Sequence, residues 1–233
     1  MVMSWVDIRR FDPLDKNACR TQRYQVSLAP GMSVLNLLEQ IYSEQDETLA
    51  YSRCCRAGVC GLCAVMVNGK PRLACRTAAS PEMLLEPLRG FPVRKDLLID
   101  REAYEAHRSR LHLYLERQSC RGARAEALEP VAREDFERFK IPSRCVECYC
   151  CVAACPAYKA HPDTFLGPCS LVLLARHSFD PRDTMDRRPL ALEAGISRCI
   201  NCKKCDAVCP MGISPSSVIA ALKQQIEEEH HDL

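Results

Sequence analysis

Seventeen of the 233 residues are cysteine, and most of them stand in short groups with two to four residues between neighbours. Thiolates at such spacing are ligands for zinc or for iron–sulfur clusters, whereas the cysteines of disulfide frameworks are usually spread along the chain. The first residues show no basic start followed by an apolar run, so we expect no secretory signal and a reducing, cytoplasmic compartment. The cysteines are therefore expected to bind metal.

The first cysteine group has the spacing C-x4-C-x2-C, with a fourth cysteine further along the chain. This is the plant-type pattern of a [2Fe–2S] cluster. The expected ligands are Cys55, Cys60, Cys63 and Cys75. Cys54 competes for the first position but would lengthen the first interval to five residues, and Gly58 and Gly61 would let the loop curl close to the sulfurs. A zinc loop is the alternative, although zinc sites prefer C-x2-C pairs.

Two later runs repeat the pattern C-x2-C-x2-C-x3-C-P, which is the spacing of bacterial ferredoxins. In that pattern three close cysteines bind one cubane cluster, and the fourth, before proline, binds the other. The first predicted [4Fe–4S] cluster has the ligands Cys145, Cys148, Cys151 and Cys209. The second has the ligands Cys155, Cys199, Cys202 and Cys205. Because the ligands cross between two segments, loss of metal should unfold this region.

The remaining candidate side chains receive no assigned role. Five cysteines are left over and are expected to be buried or solvent-facing thiols: Cys19, Cys54, Cys120, Cys150 and Cys169. His161 and His177 are expected to be packed or exposed. Lys203 and Lys204 lie inside a cluster loop, where they would dock an acidic partner, raise the cluster's potential or form a solvated surface pair, the interpretation we favour. No residue is expected to act as a general acid, base or nucleophile, so no catalytic residue is predicted.

The predicted fold class is α+β, with an N-terminal β-grasp [2Fe–2S] ferredoxin domain over residues 1–96 and an all-helical two-cluster ferredoxin-like domain over 97–233. Alternating apolar residues predict strands around Val6 and over Tyr24–Leu28. Ser33 is the predicted cap of a helix that buries its apolar face. Asn68-Gly69 predicts a hairpin, and Met83 begins a short strand expected at the sheet edge.

The second half of the chain is predicted to be helical. One helix is expected from about Arg101, with Tyr104, Leu111 and Leu115 on one face. Two others are expected to begin at Gly167-Pro168 and at Ser214-Pro215, where proline takes the first turn. Residues 86–96 are interpreted as a linker and residues 122–130 as a solvated connection.

The combination of these two domains resembles the iron–sulfur subunit of succinate dehydrogenase and fumarate reductase. The residues that carry the resemblance lie at 55–63, 68–70, 73–75, 93–97, 145–156, 165–168 and 199–210. The resemblance implies a flavoprotein partner with covalent FAD that interconverts succinate and fumarate. It also implies a membrane-anchor subunit or another acceptor, and electron exchange with a quinone in respiration and the tricarboxylic acid cycle.

The sequence departs from that family at two places. The family's last cluster is usually [3Fe–4S], because the residue matching Cys202 is not cysteine; here a second [4Fe–4S] is predicted, with [3Fe–4S] as the alternative. The family's quinone site usually has a tryptophan after the Cys-Pro pair and a histidine early in the last run. This chain has Ala157 and Ile200 there, so an ordinary quinone pocket is not expected. Variant members of the family use a cysteine-rich or soluble partner instead of the usual anchor.

Three functions follow as hypotheses. The chain is expected to be the electron-transfer subunit of a succinate dehydrogenase or fumarate reductase. The first alternative is the same relay for a different flavin-dependent organic-acid dehydrogenase or reductase, and the second is a non-catalytic zinc or redox-sensing module. The net charge of +2 argues against a nucleic-acid partner. The apolar runs are too short to span a bilayer, so we expect a cytoplasmic protein or one held on the inner membrane face through a partner.

Overall fold

The computed structural model describes residues 2–14, 19–117 and 130–231, and these divide into two compact units. The first unit comprises Met1–Ala103, Val146–Ala154 and Val208–Pro210. The second comprises Tyr104–Cys145, Cys155–Ala207 and Met211–Leu233. Cys120 and residues 122–129 of the predicted solvated connection lie outside the described residues. The predicted boundary after residue 96 stays a prediction.

A five-stranded sheet forms the frame of the first unit. Its strands are β1 (Val2–Phe11), β2 (Cys19–Leu28), β3 (Ala64–Val67), β4 (Lys70–Leu73) and β5 (Met83–Glu86), in the order β2-β1-β5-β3-β4. The predicted strands and the Asn68-Gly69 hairpin are confirmed. The prediction of an edge position for the Met83 strand was wrong, because β5 pairs in parallel with β1 and antiparallel with β3. Met83 and Leu85 are buried there.

Helix α1 (Val34–Glu44) lies next to this sheet, and the sequence correctly predicts where it begins. The Ser33 hydroxyl accepts a hydrogen bond from the Asn36 amide at 3.2 Å, and the Asn36 side chain accepts one from the Ser33 amide. This reciprocal pair satisfies two amides that would otherwise lack partners at the helix start. The buried residues of the helix are Val34, Leu35, Leu37, Leu38 and Ile41.

A buried ion pair links the sheet to the segment that leads into the first cysteine group. Asp96 is 1% exposed; one of its oxygens accepts from Arg10 Nε at 2.8 Å and the other from the Ala50 amide at 2.9 Å. Asp96 stands in the turn between β6 (Val93–Lys95) and β7 (Leu98–Ile99). The linker interpretation of residues 86–96 was therefore wrong for β6. The Asp96 carboxylate, which is paired with Arg10, thus also holds the backbone amide of Ala50, shortly before the cysteine loop.

Seven further α-helices provide most of the described regular structure that follows. They are α2 (Glu102–Ser109), α3 (Arg133–Lys140), α4 (Cys150–Ala153), α5 (Pro156–Ala160), α6 (Gly167–Ser178), α7 (Arg188–Glu193) and α8 (Pro215–His231). Within the second unit α6 is almost wholly buried and packs against α8, and both begin where the sequence predicts. In the described ranges, no helix is both long and apolar enough to cross a lipid bilayer.

The predicted helix from Arg101 is shorter than expected. Helix α2 ends at Ser109, so Leu111 and Leu115 do not continue its face. Arg187, which is 3% exposed, donates to three carbonyls of the segment after Ser109, so these oxygens find a partner without a helix. The acceptors are the carbonyl oxygens of Leu111, His112 and Tyr114. Asp183 pairs with the same guanidinium at 2.6 Å.

Candidate metal centres

The first unit brings the four predicted [2Fe–2S] ligands into one neighbourhood. The sulfur of Cys55 accepts the backbone N–H of Ala57 at 3.4 Å, and backbone hydrogen bonds of this kind lower the pKa of that thiol to about 6. Cys55 also interacts with Cys60, and Cys63 lies beside both Cys60 and Cys75. Burial raises the pKa of Cys63 to about 12. Iron would replace its proton, because the thiolate is the form that binds metal.

The loop approaches its neighbours so closely that glycine is required at one position. Gly61 has a φ of +70°, and a Cβ built there would lie 2.1 Å from the carbonyl oxygen of Val146 and 3.0 Å from the Cys148 amide nitrogen. Those are backbone atoms, which cannot move away from a Cβ without distorting the chain. A Cβ at Gly58 (φ +75°) would instead meet Arg76 Cδ at 2.1 Å, and Arg76 has a flexible side chain. The expectation that both glycines let the loop curl agrees with these angles.

Cys54 lies close to the same group. It is exposed, and the pKa of its thiol is raised chiefly by the charge of Cys60. Backbone amides lower the pKa of the Cys55 thiol, whereas none of the interactions that set the pKa of Cys54 is a backbone hydrogen bond. This difference favours Cys55 as the first ligand of the predicted set.

The two C-x2-C-x2-C runs share an uncommon backbone conformation. In each run the residues immediately before and after the second cysteine are left-handed, although none of the four is glycine. Their φ values are +53° at Glu147, +61° at Tyr149, +50° at Asn201 and +59° at Lys203. Such residues are uncommon and cluster at functional loops. The loop around Cys202 therefore repeats the loop around Cys148.

Three of the four ligands predicted for the first cubane cluster lie in the first unit. Cys148, Cys151 and Cys209 all act electrostatically on Cys150, which is buried and whose thiol pKa is raised, first by a hydrogen bond with Cys148. Cys145, the fourth predicted ligand, belongs to the second unit.

The second predicted cubane cluster has all four of its ligands in the second unit. Cys155 caps α5, and its sulfur accepts the Tyr158 N–H at 3.5 Å. Cys199 and Cys202 act electrostatically on Cys155, while burial raises the pKa of its thiol. Cys205 is buried and Cys202 is exposed. An all-thiol donor set with N–H···S hydrogen bonds is the environment that iron–sulfur clusters use, so these residues fit such a group.

Three polar contacts near these cysteines had no visible signal in the sequence. Cys169 packs its sulfur 3.9 Å from that of Cys145. Lys223, on α8, donates to the Cys199 carbonyl at 2.9 Å. Asp206 accepts from the amide and the hydroxyl of Ser216, which attaches the last cysteine run to the start of α8. Among the described residues, no three histidine, cysteine or acidic side chains converge as they would around a single metal ion.

Comparison with known proteins gives two family matches. Residues 5–106 match the 2Fe-2S iron-sulfur cluster binding domain, and residues 142–213 match the 4Fe-4S dicluster domain. These two domains in one chain define an iron–sulfur cluster-binding protein. The predicted α+β class, a [2Fe–2S] domain with a sheet followed by a helical [4Fe–4S] region, is confirmed.

Relatives identify the family. The fumarate reductase iron-sulfur subunit of Mycobacterium tuberculosis is 33% identical over 94% of this chain and 90% of its own length. One component of the CoM/CoB fumarate reductase of Methanothermobacter marburgensis is 32% identical over 94% of this chain and 43% of its own length. A chain of the Mycobacterium smegmatis Sdh1 complex in the apo form superposes with a TM-score of 0.86, at 25% identity, covering 98% of this chain and 97% of that one.

The chain belongs to the family of iron–sulfur subunits of fumarate reductases and succinate dehydrogenases. It spans only 36–43% of the length of the first curated relatives that it matches, including the Methanothermobacter protein.

Proposed function

We propose that this chain relays single electrons between a flavoprotein subunit and a further acceptor, through one [2Fe–2S] and two [4Fe–4S] clusters. The ligands are Cys55, Cys60, Cys63 and Cys75 for the first cluster; Cys145, Cys148, Cys151 and Cys209 for the second; and Cys155, Cys199, Cys202 and Cys205 for the third. The observation that carries this proposal is the repeated left-handed backbone of the two cysteine runs. We place the domain boundary after residue 96.

The same observation supports four irons, and not three, in the last cluster. A three-iron cluster lacks one corner and needs only three thiolates. Cys202 stands between two left-handed residues, as Cys148 does, so its loop has the conformation of a cluster-binding loop at the position that would supply the fourth thiolate. It is also exposed, which leaves its sulfur available to iron. A second [4Fe–4S] cluster is therefore the form that this chain favours over [3Fe–4S].

The organic chemistry belongs to the partner in this proposal. The flavoprotein would hold FAD for two-electron exchange with the dicarboxylate, and this chain would pass the electrons on one at a time. The chain's own contribution is the spacing and burial of the clusters and the N–H···S hydrogen bonds, such as Ala57 to Cys55 and Tyr158 to Cys155. The acceptor is a membrane-anchor subunit or a cysteine-rich or soluble protein, which would hold the complex at the inner membrane face or in the cytoplasm.

Co-purification tests the proposal. A flavin-containing subunit is expected to co-purify with the chain, and the intact complex is expected to reduce fumarate or oxidise succinate. A flavin-containing complex that is inactive with both would instead indicate another organic acid as substrate. A colourless chain that contains zinc and no flavoprotein partner would reject electron transfer altogether.

A further inference from the structure

The surface around the second predicted cubane cluster is both apolar and basic. It consists of Arg198, Ile200, Cys202, Lys203 and Lys204, which are all exposed, and we call it the Cys202 face. Ile200, the large apolar side chain of this face, is 67% exposed. The exposed ligand Cys202 would bring an edge of the cluster to the solvent at this face.

The positive charge of the Cys202 face is not neutralised by the described residues of the second unit. Within the ranges that the structure describes, Arg198, Lys203 and Lys204 form no ion pair with a carboxylate. Asp206 is the one acidic residue of the segment 196–212, and its carboxylate accepts hydrogen bonds from Ser216 at 2.8 and 2.5 Å. The exposed charges of the segment are thus all cationic, although the whole chain carries only +2.

We propose that the Cys202 face docks an acidic one-electron carrier protein, which exchanges electrons with the second cubane cluster. The inference deepens the proposed function, on which it rests, by naming the acceptor class. In each encounter the cluster loses one electron and the carrier gains it, or the reverse, and no bond is made or broken. The exposed Ile200 supplies an apolar contact and the three cations supply charge, which are the two components that such interfaces combine.

Two physical arguments favour a protein over a lipid surface. Groups of basic side chains that bind anionic membranes usually contain four to eight lysines or arginines, and this face has three. Transient redox complexes are small, often below about 1,200 Å² of buried area, and depend on charge to steer the encounter. A few cations around an exposed cluster ligand meet that requirement.

The test uses the purified complex with its flavoprotein subunit, reduced and then mixed with oxidised flavodoxin, an acidic one-electron carrier protein. The variant is the double replacement Lys203→Glu/Lys204→Glu. The matched control is Arg9→Glu/Arg20→Glu, which makes the same charge change at two exposed arginines of the sheet. Both variants and the wild-type complex are first checked for iron content and for paramagnetic signals of the clusters.

The second-order rate constant at low ionic strength is expected to fall about tenfold or more in Lys203→Glu/Lys204→Glu and to change little in the control. Added salt is expected to slow the wild-type reaction and to speed that of the Lys203→Glu/Lys204→Glu complex. Equal rates in the two variants would overturn the proposal, as would charge-dependent binding of the face to vesicles with anionic lipids but no effect on flavodoxin. Absence of the clusters themselves would instead refute the proposed function.

Discussion

The sulfur of Cys145 lies 3.9 Å from that of Cys169, within reach of an S–H···S hydrogen bond. The contact lowers the pKa of the Cys145 thiol. Either thiol can donate when both carry a proton, but if Cys145 binds iron as a thiolate, only Cys169 has a proton to donate. Cys169 is 1% exposed, near the start of α6. In our proposal Cys145 binds iron, and its sulfur keeps lone pairs that accept this bond. Cys169, which lies outside the predicted ligand sets, would therefore adjust the midpoint potential of the first cubane cluster.

Replacing Cys169 should change the midpoint potential of that cluster. Cys169→Ala removes a donor that stabilises the extra negative charge of the reduced cluster, so the potential should fall. One hydrogen bond of about 0.5–1.5 kcal/mol corresponds to about 20–60 mV for one electron. Cys169→Ser keeps a donor and should recover most of the loss. Redox titration followed by electron paramagnetic resonance (EPR) measures the shift, and equal potentials in all three proteins would show that the contact is not made in the loaded protein.

Cys202→Ser should convert the last cluster from four irons to three. The hydroxyl is a poor substitute for thiolate, and the corner it would bind is exposed and easily lost. The oxidised variant should display the EPR signal of a three-iron cluster, with about one iron fewer per chain. Cys54→Ser is the control, since Cys54 is also exposed and lies outside the predicted ligand sets. A three-iron signal already present in carefully anaerobic wild-type protein would contradict the assignment of Cys202.

Three glycines, two in the first cysteine loop and one in the β3–β4 hairpin, form a graded test of how tightly that loop is packed. Gly58, Gly61 and Gly69 share φ values of +70° to +75°, so alanine suffers similar backbone strain, about 1–2 kcal/mol, at each. They differ in space: Gly69 has nothing within 4 Å, Gly58 meets the Arg76 side chain, and Gly61 meets the backbone of residues 146–148. Gly61→Ala should therefore lower the melting temperature most and lose [2Fe–2S] content, and Gly69→Ala least. Equal losses in the three variants would mean that only the φ angle matters.

Local signals in the sequence predict most of this protein, and long-range contacts do not follow from them. Ser33 and Pro215 mark helix starts because capping depends on neighbours along the chain. The central place of β5 was missed because four residues do not specify their pairing partners. Arg187 donates to carbonyls of the segment after α2, more than seventy residues away, and only the tertiary structure reveals it. Cysteine spacing was informative because each cluster imposes its geometry on a short loop.

His177 should make the second unit sensitive to acid. Burial and the neighbouring Arg176 lower the pKa of its imidazole from 6.5 to about 4, and its Nε2 lies 3.1 Å from the Arg176 guanidinium. Between those two pH values the unfolded chain binds more protons than the folded one, so stability should fall as the pH drops through this range. Arg187, Asp183 and Asp180 also act on the ring.

The measurement is the apparent melting temperature at about pH 7.5 and about pH 5.5, at one scan rate. His177→Gln should reduce the difference between the two temperatures, because glutamine does not titrate. His161→Gln serves as the control, since His161 is exposed. An unchanged difference in His177→Gln would show that acid acts elsewhere, for example on the clusters.

The central claim is that twelve thiolates in this chain hold iron and sulfide in three clusters. Iron and acid-labile sulfide analysis of anaerobically purified protein, with stepwise reduction followed by EPR, tests it most directly. We expect about ten irons and ten sulfides per chain, as two plus four plus four, and three separable cluster signals. Zinc or disulfides at the predicted ligand positions would contradict it.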